Sequence, residues 1–159
     1  MKTTLLHLTG QLESIYNGHP WYGDSLLQKL EPIGPEEAFT EVLPGTHTIA
    51  QVTAHILTWR RVLSEYLKGN AAYYDNIGPE QDWPANTTLQ TKGWKTILAE
   101  LADNQRELAS LLAPCSDELL DRVYTKTYTY RFLIEGIIQH DVYHTGQIGL
   151  LISAIKNKA

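Results

Sequence analysis

Apolar residues recur along this 159-residue chain at helical spacing. Between Thr4 and Tyr16, Leu5, Leu8, Leu12 and Ile15 fall three and four residues apart, the repeat of one helix face. Asn17-Gly18-His19-Pro20 breaks that helix. Asp24–Leu30 predicts a short helical piece, and Pro32, Gly34, Pro35, Pro44 and Gly45 mark a connecting loop. A second long helix opens at Thr48, with Gln51 three residues on completing a capping box, and runs to about Lys68, where Gly69 and Asn70 suit its end. Its inward stripe is Val52, His55, Trp59, Val62 and Tyr66. The segment from Asn70 to about Gln90, rich in Asn, Pro, Gly and Asp, is long for a turn between antiparallel neighbours and suits a crossover connection. A third helix is expected from about Thr91 to Ala113, with Trp94, Ile97, Leu98, Leu101, Leu108, Leu111 and Leu112 inward and Pro114 after it. Residues 116–124 read as a turn of helix, and residues 125–130 as β-prone, extended chain. A fourth helix is expected from Tyr130, capped by Thr129, to Lys156. Its stripe is Leu133, Ile137, His140, His144, Ile148, Leu151 and Ile155. The pattern predicts an all-α protein of four long helices, with long connections between the first three, as one domain over residues 1–159.

Composition narrows the class. Hydrophobic content of 43% and charged content of 19% suit a globular chain with a real core. A net charge of −5 argues against nucleic-acid and anionic-membrane partners. No apolar run reaches the roughly 18 residues of a membrane span. The first residues do not read as a signal peptide. Cys115 is the single cysteine, so an intramolecular disulfide is excluded, which fits a reducing compartment; a cytoplasmic location is expected.

The chemistry concentrates on His140 and His144. One turn apart on a core stripe, they place two imidazole nitrogens on one face, close enough to share a metal ion. A catalytic zinc site takes three protein ligands and leaves one position open. His55, midway along the second helix on its own core stripe, is the candidate third ligand. His7, His19 and His47 sit near a chain end or in loops. Taken alone, the spacing leaves two readings: a metal site, or three core histidines satisfied by hydrogen bonds.

The neighbours carry paired readings too. Asp141 either accepts an N–H from a ligand imidazole, or is a solvent-facing charge or helix-pairing contact. Gln147 either orients water or a ligand, or bonds neighbouring helix groups. Gly146 suggests close helix packing or room near the site. Trp59, one turn beyond His55, is a candidate pocket wall, as are Trp21, Tyr22, Trp83 and Trp94, with core packing the commoner role for such rings. Cys115 reads as an ordinary thiol away from the ligand layer. Arg60, Arg61 and Arg131 either bind an anionic substrate or are solvated surface charges. No residue is assigned as a general base.

The stretch His140–Ile148, HDVYHTGQI, resembles the C-terminal helix signature of the DinB-like (damage-inducible, YfiT-like) superfamily. Thr48–Ile56, TIAQVTAHI, resembles its second-helix motif, and His19–Leu26, HPWYGDSL, a segment of one branch. The resemblance covers nearly the whole chain. It implies a four-helix bundle in up-down-down-up order and a divalent metal held by three histidines, matching His55, His140 and His144. Some relatives carry a carboxylate where this chain has His140. Characterised relatives include thiol-dependent S-transferases and isomerases using bacillithiol, mycothiol or glutathione, and many others carry only the general description of metal-dependent hydrolase. The resemblance also suits homodimerisation, and a stress-response role belongs with a non-catalytic bundle.

Two functional expectations follow. The first is a metal-dependent enzyme of small-molecule chemistry, of S-transferase or hydrolase type, in which thiolate or activated water attacks an electrophile. The second is a non-catalytic bundle that binds a metal or small ligand. Availability favours zinc, with nickel and iron also suited to three imidazoles. The expected partners are a small-molecule substrate and a low-molecular-weight thiol.

Overall fold

The computed structural model describes residues 3–157. Among them are α1 (Thr3–Asn17), α2 (Leu26–Leu30), α3 (Pro35–Ala38), α4 (Ile49–Leu67), α5 (Pro79–Asp82), α6 (Asn86–Lys92), α7 (Trp94–Leu112), α8 (Glu118–Asp121) and α9 (Tyr130–Lys156), with a 3₁₀ turn at Tyr74–Asn76. The described residues form no strand, and residues 123 and 129 meet in one isolated antiparallel bridge. The extended stretch expected at residues 125–130 therefore reduces to a turn closed by that bridge. No helix among the described residues is long and apolar enough to cross a membrane.

The four long helices expected from the pattern are present as α1, α4, α7 and α9. Their start signals act as the sequence predicts. The Thr48 hydroxyl accepts the Gln51 N–H at 3.2 Å, and Gln51 Oε1 accepts the Thr48 N–H at 3.0 Å. Thr129 likewise caps α9 through the Phe132 N–H. One boundary differs. The third helix was expected from Thr91, but α6 ends at Lys92 and α7 starts afresh at Trp94. Gly93 stands between them at φ +87, a left-handed backbone that a helix cannot continue through. The two expected connections also hold more structure than the pattern suggested: α3 in the first, and the 3₁₀ turn, α5 and most of α6 in the second.

α4 packs against both α7 and α9, and α1 against α9 and α7. The apolar interior is divided in two. One cluster joins α2, the first half of α4, the start of α7 and Ile148, with Leu26, Ile56, Leu101 and Ile148 fully buried. The other joins α1, the second half of α4, the end of α7, α8 and the start of α9, with Leu63, Leu120 and Ile134 fully buried. Each long helix crosses from one cluster to the other, and a polar residue stands at each crossing. In α4 it is Arg60, between Leu57 and Val62. In α7 it is Asn104 and Gln105, between Leu101 and Leu108. In α9 it is Asp141, between Ile137 and Ile148, and in α1 it is Glu13, between Leu12 and Tyr16.

The buried ones bond across the interior, and Gln105 reaches the exposed Glu13 at its edge. Arg60 Nε donates to Asp141 Oδ2 at 2.8 Å, with both side chains fully buried. Arg60 Nη1 donates to Gln105 Oε1, and Gln105 Nε2 to Glu13 Oε2 at 2.6 Å. The guanidinium also lies 5.5 Å from the Tyr16 ring centroid. Arg60 is thus neither a substrate clamp nor a solvated charge, and Asp141 takes the helix-pairing role rather than facing solvent.

Taking one charge from such a pair leaves the other buried and unpaired. Arg60→Met or Asp141→Leu alone is predicted to cost about 3–5 kcal/mol of stability, and the double variant less than either single, because two apolar groups need no mutual compensation. Denaturant unfolding of metal-stripped protein checks this. Single losses below about 1 kcal/mol that simply add would contradict it.

Candidate metal centre

His55 comes from the middle of α4, and His140 and His144 from adjacent turns of α9. One nitrogen from each lies within 4.8 Å of the others. His55 and His144 are buried, and the His140 side chain is about one-fifth exposed. The three residues singled out from the sequence therefore meet.

Two of the rings are fixed from outside the cluster. His55 Nδ1 lies 2.9 Å from the Asp82 backbone oxygen and 3.0 Å from Asp82 Oδ1. His144 Nδ1 lies 2.6 Å from Gln147 Oε1. Both partners are acceptors, so each Nδ1 carries the proton and each Nε2 presents a lone pair. Gln147 thus bonds a cluster ring directly. Asp82 also accepts the Trp59 indole N–H at 2.9 Å.

The third ring poses the decisive question. His140 Nε2 faces His55 Nε2 at 3.0 Å. If His140 carries its proton on Nε2, that contact is a hydrogen bond, but His140 Nδ1 becomes a bare acceptor. It is buried without a partner, 3.8 Å from Asp141 Oδ1, which is also buried without one. If the proton moves to Nδ1, it points toward a carboxylate oxygen, and three Nε2 lone pairs then face one space. A cation among them would satisfy lone pairs so close. Tetrahedral zinc, at about 2.0–2.1 Å from each nitrogen, spaces its ligand nitrogens about 3.3 Å apart. The orphaned acceptors and the all-imidazole donor set therefore fit a divalent metal.

Aromatic rings close the cluster on one side. Trp83 stacks on His55 with centroids 3.8 Å apart and on His47 at the same separation, so its indole is held between two imidazoles. Trp59 lies edge-on to His55 at 6.3 Å and tilted to His140 at 5.9 Å. Of the rings proposed as walls, Trp59 and Trp83 take that role. Trp94 is core, donating to the Ile33 carbonyl at 2.8 Å, whereas Trp21 and Tyr22 are exposed. Gly146 faces open space, so close packing does not explain it. Cys115 lies in the other half of the interior, its thiol on the Leu111 carbonyl. Arg61 pairs with Glu100 at 3.0 Å and Arg131 with Glu135 at 3.9 Å, both on the surface.

Asp82 went unnoticed in the sequence because it sits in a polar connection. The capping box of α4 brings it in. Gln51 Nε2 donates to the Pro84 carbonyl at 3.0 Å, and Thr48 Oγ1 to Asn86 Oδ1 at 3.1 Å. These bonds tie the α5–α6 segment to the first turn of α4 and lay Asp82 and Trp83 over His55, two turns along.

A family model of the DinB superfamily matches residues 23–148, and the chain belongs to that superfamily. All three histidines, Asp82, Trp83, Asp141 and Gln147 lie inside the matched span. Neither the curated proteins nor the solved structures provide a match.

Burial is the main reason two of the rings, His55 and His144, resist protonation. It lowers the His55 pKa against the opposing effect of the Asp82 backbone bond. It lowers that of His144 to about 4, against the opposing effect of Gln147. An unfolded histidine titrates near 6.5, so the folded state binds fewer protons between that value and 4. Metal-free protein is therefore predicted to keep this stability above pH about 6.5 and lose it as the pH falls toward 4. Thermal melts across that range check it: His144→Gln should flatten the slope, and an unchanged slope would contradict the assignment.

Proposed function

We propose that the protein is a divalent-metal-dependent enzyme of small-molecule chemistry, with His55, His140 and His144 as the metal ligands. The observation that carries this reading is the 3.0 Å approach of two imidazole Nε2 atoms, with His144 beside them and a stranded acceptor on the outer edge of His140. Zinc is the first choice, with nickel and iron also suited to the donor set. When bound, the metal supplies Lewis acidity that lowers the pKa of a water or thiol on its open side, so the reaction class is S-transfer or hydrolysis.

The chain's own residues do the positioning. Asp82 and Gln147 hold two imidazoles in the ligand tautomer. Asp141 offers Oδ1 to the His140 Nδ1–H, while Arg60 fixes its other oxygen. Trp83 shields His55. Among the described residues no fourth metal-ligating side chain joins the cluster, and the exposed edge of His140 supports access for a small nucleophile.

We further read the four long helices as one up-down-down-up bundle. The pairs Arg61–Glu100, Ser64–Asn104 and Lys68–Glu107 advance together along α4 and α7, which supports a parallel course. His55 with His140 and Tyr66 with Tyr130 run in opposite senses along α4 and α9; Glu13 meets Gln105 within α7 and the Leu5 N–H meets Asp117 past its end, which supports opposite senses for α1 and α7.

Elemental analysis of untagged protein, purified without a nickel column, tests the centre. About one equivalent of metal is expected in the parent, and none in a His140→Ala/His144→Ala variant with an unchanged helical spectrum. No metal in the parent after incubation with zinc would overturn the reading. Cobalt-substituted protein then tests the open side: added thiol should produce a thiolate-to-cobalt absorption band. No thiol band and no hydrolysis would favour a non-catalytic metal-binding bundle.

A further inference from the structure

Beside the histidine cluster, separated from it by the Trp59 ring, lies a cavity of about 680 Å³. It is formed by the second half of α4, the segment around the 3₁₀ turn, the loop between α8 and α9, and the first turn of α9. Six aromatic side chains line it: Trp59, Tyr66, Tyr74, Tyr124, Tyr128 and Phe132. The chain has 15 Trp, Tyr and Phe residues in all, so this one space gathers two-fifths of them.

The rings differ in how they are held. Tyr66 and Tyr124 form an edge-to-face pair, 4.8 Å between centroids, and the Tyr66 carbonyl accepts the Tyr130 hydroxyl at 2.8 Å. These form a fixed floor. Tyr128 stacks on Phe132 at 4.5 Å, and Tyr74 lies 5.8 Å from Trp59. Tyr74, Tyr128 and Phe132 are each about half exposed. Three large rings left half in solvent around one concavity expose more apolar surface than their contacts with one another need, and such convergence marks a binding site. The volume falls within the roughly 300–1,000 Å³ of small-molecule pockets. Asp75 and Lys126 also line the cavity, one charge of each sign, so its walls favour neither anion nor cation.

We propose that this cavity binds the planar, uncharged aromatic part of the protein's small-molecule substrate. Ring faces and edges at these spacings are complementary to a further flat ring, by stacking and edge-to-face contact. Its place relative to the chemistry follows from the helices. Leu133, in the cavity wall, precedes His140 by seven residues, a rise of about 10 Å along α9. Trp59 contributes to both spaces, as wall of the cavity and as neighbour of His55 and His140. An aromatic group lodged here therefore directs a substituent with a reach of about 10 Å past Trp59 toward the histidines. That coupling rests on the metal-enzyme reading; the binding of the aromatic group does not.

The probe is 2-naphthol, titrated calorimetrically into the full chain. Saturable binding at one equivalent is expected. Phe132→Ala and Tyr74→Ala should each weaken it at least fivefold, and Leu6→Ala, on the exposed side of α1, should leave it unchanged. Both cavity rings are half exposed, so folding should survive truncation, and helical content and zinc uptake of each variant check this. Absence of saturable binding, or equal binding by the cavity variants, would overturn the proposal. Metal and cavity fail separately: a chain that takes 2-naphthol but no zinc refutes the metal centre alone, and one that takes zinc but no 2-naphthol refutes the cavity. In cobalt-loaded protein, enhanced relaxation of the bound naphthol protons is expected. Its absence would overturn the placement beside the histidines.

Discussion

A buried ion pair sets the register of this structure. Arg60 and Asp141 are 81 residues apart in sequence, and each is fully excluded from solvent. Removing either charge from water costs several kcal/mol, and only close geometry with further hydrogen bonds offsets that cost. The two helices must therefore meet at one height. Gln105 extends the constraint to α7, and its bond to Glu13, on the exposed edge of α1, reaches the fourth long helix at the same level. Apolar packing alone tolerates sliding by a turn more readily than a charge pair does.

The histidine cluster depends on that register. His55 lies five residues before Arg60, and His140 and His144 flank Asp141, so the pairing that aligns α4 with α9 also brings the imidazoles together. The same pairing leaves something incomplete. Asp141 spends one oxygen on Arg60 and holds the other, without a partner, toward an equally unpartnered nitrogen of His140. Buried acceptors facing each other are costly. Moving one proton from Nε2 to Nδ1 of His140 relieves that confrontation, and leaves three lone pairs that a divalent cation would satisfy. In the proposed metal centre, stability of the layer and affinity of the site would thus be coupled through one carboxylate.

The sequence made the local signals legible. The 3.6-residue stripes placed four long helices, Thr48 with Gln51 and Thr129 marked two starts, and the stripes of α4 and α9 held the three histidines that meet. What stayed hidden was decided at long range. Arg60 looks like any charged residue on an amphipathic helix, and only its partner across the interior makes it a core residue. Asp82 sits in a segment whose composition announces a connection, and reaches His55 because the α4 capping residues also bind Pro84 and Asn86. The break at Gly93 could not be separated from an ordinary helical glycine, since helical apolar spacing continues on both sides of it. The aromatic cavity draws on three separate chain segments, none with a periodic pattern of its own.

X-ray absorption spectroscopy of zinc-loaded protein tests the central claim most directly. The account predicts three imidazole nitrogens at about 2.0–2.1 Å and one further light atom, replaced by sulfur at about 2.3 Å when a small thiol is added. Fewer imidazoles, or a shell completed by a fourth protein side chain and indifferent to thiol, would contradict it.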